Sequence, residues 1–332
     1  TGIVEMIMRE KRNANRNLSY EDIAVLYRTN AQSRAFEGEL RKNNIPYRIY
    51  GGTSFYQRKE IKDTLAYFRL AVNPKDNEAL LRALTFPARG IGDTTMKKVT
   101  LCAIENNQSY LEVMRHPDDY PLEMSGPMKK KISAFAAMID EMAVQSEEMD
   151  AFRFAEMLLK QTGLTTALMM DRTTEGIDRA QNVQELLNAI REFVTQRANE
   201  GIDYTPITDF LSEVSLMTDQ DDNQADTTDR VTLMTVHAAK GLEFPVVYIV
   251  GLEENLFPSQ FCSTQQEIEE ERRLFYVAIT RAMETCVISY ARQRFRNGQI
   301  TFNSPSRFLN DIDRAYMQIL KNNPQPSTTR WG

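Results

Sequence analysis

Apolar runs gather at the two ends of the chain, a long helical stretch separates them, and neither end alone holds enough strands for a sheet. Together these observations predict an α/β protein whose parallel sheet is interrupted by a mostly helical inserted domain. The boundaries are 1–55 and 228–318 for the two parts of the sheet domain, 56–227 for the insertion and 319–332 for a disordered tail.

The elements follow in order. TGIVEMIMREKR at 1–12 reads as the later part of an amphipathic helix with no capping residue before it. With Thr1 in place of an initiator Met, the sequence looks like a piece of a longer polypeptide. DIAVLYR at 22–28 is β-rich with little alternation, which suits a strand buried on both faces. A helix is expected over about 31–43, then a strand at PYRIYG, 46–51. From about 58 to 215 the apolar residues recur with a 3.6 period, as in EIKDTLAYFRLAV and NVQELLNAIREFV. TDQDDNQADTTD at 218–229 reads as the return linker. Strand character resumes at VTLMTV (231–236), VVYIVG (246–251) and CVISYA (286–291), and KNNPQPSTTRWG at the end has no period.

Composition narrows the function classes. With 332 residues, 42% of them hydrophobic, the chain can bury one or two cores. No apolar run approaches the ~18–20 residues of a membrane span, and no leader opens the chain, so a cytoplasmic protein is expected. Three cysteines without CxxC spacing supply neither a disulfide framework nor a zinc knuckle. The net charge of −6 argues against holding nucleic acid by bulk positive charge, so a polyanion has to meet local sites.

Three segments carry chemistry. In VTLMTVHAAKGLEFPVVYIVGLEE at 231–254, a strand ends in Thr235 and His237, small residues lead to Lys240 and Gly241, and the chain re-enters a strand after Pro245. A loop at a strand's carboxyl end presents ligand groups in open α/β sheets. Gly241 permits close approach to a phosphate, and Glu243 is able to accept from a sugar hydroxyl; a tight turn with a solvated acid is the alternative. GxxxxGK[ST] occurs nowhere in the chain. In EIEEERRLFYVAITRAMETC at 267–286, Glu269 and Arg273 stand at i, i+4, and Arg281 continues the apolar face of Leu274, Val277 and Ala278. An arginine there has to meet either an external anion or an internal carboxylate. In ARGIGDTT at 88–95, two glycines around Ile91 make a turn before a helix start, a geometry that binds a phosphate oxygen or is a turn and nothing more.

The stretches 231–254 and 267–286 resemble motifs V and VI of the UvrD/PcrA/Rep-type superfamily 1 DNA helicases. VLYRTNAQSR at 25–34 resembles the family's motif IVa, and GGTSFYQRKEIKD (51–63) and FPARGIGDTT (86–95) extend the likeness up to about residue 318. FPSQ at 257–260 leans toward the UvrD branch. The resemblance implies a RecA-like fold for the sheet domain, the second of two motor domains that clamp ATP and Mg²⁺ between them. The Walker lysine and magnesium-holding acids are then expected in an N-terminal motor domain upstream; DEMA at 140–143 falls in a helical segment and reads as surface.

By the same resemblance Arg281 is the arginine finger, Glu243 the ribose contact and Gly241 the backbone beside the γ-phosphate. Thr235, His237 and Lys240, with Arg28, Asn30 and Arg34, are placed on single-stranded DNA, a solvated helix face being the alternative for the 28–34 segment; Gly90, Ile91, Gly92 and Thr94 are placed on duplex DNA ahead of the fork. The implied activity is ATP-dependent 3′–5′ unwinding in DNA repair or replication, with repair proteins as further partners. No metal ligand is expected in the chain itself, nor a tightly bound cofactor. A non-catalytic module that holds DNA or protein through the insertion is the competing reading. A helicase–nuclease is disfavoured, because no acidic metal cluster follows residue 291.

Overall fold

In the computed structural model the described residues are 2–13, 16–223, 228–296 and 299–320. The strands are β1 (Ile23–Tyr27), β2 (Tyr47–Ile49), β3 (Val231–Thr235), β4 (Phe244–Ile249), β5 (Ala282–Ile288) and the hairpin β6 (Gln293–Arg296) and β7 (Gln299–Phe302). Helices α1 (Gly2–Arg12) and α2 (Ser33–Lys42) belong to the first part of the sheet domain, and α12 (Gln265–Ile279) to the second. Between them run α3 (Lys59–Val72), α4 (Asn77–Thr85), α5 (Asp93–Glu105), α6 (Tyr110–Arg115), α7 (Gly126–Glu148), α8 (Ala151–Gln161), α9 (Leu164–Met170), α10 (Thr174–Asn199) and α11 (Ile207–Asn223).

The sheet is parallel, in the order β2-β3-β1-β4-β5. Strands from both ends of the chain interleave, as the fold class requires. Alternate residues of the central strands feed two cores: Val25, Tyr27, Leu233 and Tyr248 meet Val4, Ile7 and Leu40 of α1 and α2, while Leu26, Met234, Val247 and Ile249 meet Phe275 and Ala278 of α12. Burial on both faces explains why these strands read as unbroken apolar runs. The insertion has its own core, from Phe55 to Val214, distinct from both.

Two boundaries move. The last strand of the sheet spans 282–288 instead of 286–291, because it is the edge strand: Met283, Glu284 and Cys286 are exposed, so an apolar run marks only its latter part. Helix α11 continues to Asn223, into the stretch expected to be a linker, since no Gly or Pro interrupts 207–223. Residues 224–227 and 321–332, most of the expected tail, lie outside the described residues.

Candidate functional site

The connection from β3 to β4 decides the geometry. Parallel strands force the chain to return from the carboxyl end of β3 to the amino end of β4, and 236–243 makes that passage in eight residues. The segment read as a loop at a strand's carboxyl end therefore serves both edges of the sheet. Thr235 and His237 stand at the carboxyl edge, whereas Gly241 and Glu243 precede Phe244 at the amino edge.

Arg281 lies at that amino edge too. A capping box starts α12, with Glu267 N–H donating to Thr264 Oγ1 and the Thr264 amide donating back to Glu267. The helix ends at Ile279, and Arg281 comes one residue before β5. Its backbone carbonyl accepts from the Phe244 amide at 2.9 Å. The guanidinium donates to Val277 O (3.1 Å), Leu242 O (2.9 Å) and Thr280 Oγ1 (3.1 Å). All three acceptors are neutral, and no carboxylate lies within ion-pair distance of it among the described residues. Hence the internal salt bridge that the sequence left open is not formed: the cation is aimed, but its charge is not cancelled. Leu242, which holds it, is flanked by Gly241 (φ +86°, with open space where a Cβ would stand) and by exposed Glu243.

At the carboxyl edge Arg28, Asn30 and Arg34 each bond to a carboxylate of this chain. Arg28 grips Glu271 of α12 with Nε at 2.9 and 3.0 Å and Nη2 at 2.6 Å; Glu271 also accepts from the Ser259 amide at 3.3 Å. Asn30 Nδ2 donates to Asp178 (3.3 Å), and Arg34 donates to Glu185 (2.7 Å) and Glu192 (2.8 Å). Those three acids belong to α10 of the insertion, so a phosphate has to displace a carboxylate to reach these groups. Burial, then the Arg28 charge, pulls the His237 pKa down against Glu271 and Asp178. Burial pushes the Asp178 carboxyl up. Lys240 is exposed and has no acid partner among the described residues.

In the insertion, the 88–95 turn forms as expected, with Gly90 at φ +67° and Gly92 as the N-cap of α5. Gly92 and Thr94 are exposed, and the Lys131 ammonium stands 3.0 Å from where a Cβ on Gly90 would lie. Ile91 is the exception. Its side chain is 8% exposed and anchors the turn in the insertion core, which leaves only its backbone for a ligand. Arg89 turns inward onto Tyr67 Oη (2.9 Å) and Thr162 O (3.0 Å).

The expected Glu269–Arg273 pair is replaced by two i, i+3 pairs, Glu269–Arg272 and Glu270–Arg273. Asp140 of DEMA lies in α7, bonded to Arg115 at 2.8 Å. Residue-by-residue reading missed Glu271, Asp178, Glu185 and Glu192. The only signal available was the spacing of 178, 185 and 192 along one helix. Among the described residues no group of three or more His, Cys, Asp or Glu side chains is placed to hold a metal ion, and no helix is long and apolar enough to cross a membrane.

A parallel α/β sheet carrying a helical insertion, with an aimed but unpaired arginine at one edge, places the chain among RecA-like units with inserted domains. The chain belongs to the UvrD-like helicase family: residues 1–293 match the UvrD-like helicase C-terminal domain. It is 36% identical over 319 residues to the ATP-dependent DNA helicase PcrA of Staphylococcus aureus strain Mu50, covering 95% of this chain and 42% of that protein. The PcrA of Staphylococcus epidermidis strain RP62A is 37% identical over 313 residues, covering 93% of this chain and 42% of the relative. The chain thus spans well under half the length of these relatives.

Proposed function

We propose that the chain is the carboxy-terminal half of an ATP-dependent DNA helicase that moves 3′ to 5′ on its strand in DNA repair or replication. The carrying observation is the hold on Arg281: its guanidinium, without a carboxylate, is bonded to the carbonyl between Gly241 and Glu243. Finger, ribose acceptor and phosphate-side glycine thereby share one edge, facing the N-terminal motor domain that would bring the phosphate loop and the Mg²⁺ ligands. Phosphoryl transfer spreads negative charge over the equatorial oxygens, and a fixed cation lowers that barrier without reorganising. Single-stranded DNA runs along the opposite edge at Thr235 and His237, with Lys240 in the connecting segment, reaching Arg28, Asn30 and Arg34 once their carboxylates yield. The 236–243 segment connects the two edges.

Because GxxxxGK[ST] is absent, this chain alone is expected to release no phosphate from ATP, with or without single-stranded DNA. A phosphate-release assay on the purified chain checks this; DNA-stimulated turnover would contradict the division of the pocket. Duplex DNA is assigned to the 90–94 turn. Gly92→Asp puts a carboxylate at the mouth of the turn and is expected to weaken duplex binding about tenfold at low salt, since a like charge opposes each phosphate. Fluorescence anisotropy against salt concentration reads it, and an unchanged affinity would leave 88–95 as a plain turn.

A further inference from the structure

The motif GGTSFYQRKEIKD contains an arginine to which the reading above gives no task. Arg58 precedes α3, and it is 8% exposed. Its guanidinium donates to the Asn30 carbonyl (2.9 Å), in the turn that follows β1, and to Ser33 Oγ (2.6 Å), at the start of α2. A third bond, 2.9 Å, goes to Asn182 Oδ1 on α10, and Asn182 Nδ2 in turn donates to Glu60 at 2.5 Å. The guanidinium lies 5.3 Å from the Phe55 ring centroid. Burying such a cation is costly unless every donor is met, and here the partners come from both units at once.

Helix α10 presents the matching face. Asp178, Asn182, Glu185 and Glu192 recur at spacings of four, three and seven, on one side of the helix, and all four bond to the 30–34 segment or to Arg58. The apolar cores of insertion and sheet are separate, and the bonds that join α10 to the 30–34 segment and to Arg58 are polar. Polar joints between domains yield to relative motion more readily than apolar ones.

The geometry points to Arg58 as a positioning residue that pins the 28–34 turn to α10, so that the seating of the insertion fixes how Arg28 and Asn30 are presented to single-stranded DNA. The final clause rests on the DNA reading above; the pin does not. Two measurements on the full chain separate them. Spin labels at Met283→Cys in β5 and Met170→Cys in α9, both exposed, with the native cysteines changed to Ala, report the distance between the units. Anisotropy with a labelled oligo-dT reports single-strand affinity.

The unsubstituted chain is expected to give one narrow distance. Arg58→Ala broadens it and lowers oligo-dT affinity about tenfold, the loss expected for a charge-assisted hydrogen bond that orients a binding turn. Arg58→Lys, which supplies donors without the planar fork, recovers part of both. Should Arg58→Ala fail to fold, Asn182→Ala removes one partner of the pin and is expected to broaden the distance in the same sense. An unchanged distance distribution in a folded Arg58→Ala or Asn182→Ala chain overturns the pin. A broadened distance with unchanged oligo-dT affinity overturns its link to the DNA turn. If the unsubstituted chain binds no oligo-dT, the DNA reading fails while the distance arm still decides the pin.

Discussion

Arg281→Ala in the full-length protein is expected to lower ATP turnover by roughly 10³-fold or more while leaving nucleotide affinity nearly intact. The expectation follows from how the side chain is held. Carbonyls of Val277 and Leu242 fix the direction of the guanidinium yet leave its charge uncancelled, so under the proposed function its field would act where charge develops in the transition state. An arginine already paired to a carboxylate would lose much of that effect. Truncation frees two carbonyls and a hydroxyl that water is able to satisfy at this half-exposed position, so the thermal midpoint should move by only a few degrees. Arg281→Lys should recover little, because a point charge cannot bond both carbonyls and still project outward. Single-turnover hydrolysis alongside binding of a fluorescent nucleotide separates the two effects. Wild-type turnover in the Ala variant would remove Arg281 from the mechanism.

The sheet was legible because its central strands are buried twice over: Ile23–Tyr27, Val231–Thr235 and Phe244–Ile249 carry apolar side chains on both faces. The insertion was legible from period alone. Edge position hid the true start of β5, where Met283 and Glu284 face solvent and only the following residues look like a strand. The amino-edge grouping of Gly241, Glu243 and Arg281 was partly readable, since the resemblance names all three. Their common edge, however, follows from parallel pairing of Phe244 with Ala282, which no local pattern encodes. The acids opposite Arg28 and Arg34 stand 243, 151 and 158 residues away along the chain. Glu271 in particular is one of four acids in the run 267–271, and nothing local distinguishes it from the other three, yet it is a buried carboxylate two turns along α12.

That burial makes the Arg28–Glu271 pair a point where stability is exposed to substitution. Side chains of the two residues are 17% and 5% exposed, and the contact is bidentate. Glu271→Ala strands a guanidinium that keeps some access to water, and is expected to cost about 3 kcal/mol, the low end for breaking a buried pair. Arg28→Ala strands the more deeply buried carboxylate with, among the described residues, only the Ser259 amide as a hydrogen-bond donor, and is expected to cost about 4–5 kcal/mol. Urea unfolding followed by far-ultraviolet circular dichroism measures both. The double variant Arg28→Met, Glu271→Leu replaces the pair by apolar groups of similar volume and should return to within about 1 kcal/mol of the parent, because no buried charge is then left alone. It also separates two roles of Arg28. If the residue serves only the fold, the double variant binds oligo-dT as the parent does; if it also faces the strand, stability returns and affinity does not. A single-variant cost below about 1 kcal/mol would mean that the pair is solvated in solution, and Arg28 would then be open to phosphate without displacing Glu271, while Asn30 and Arg34 would still face the acids of α10.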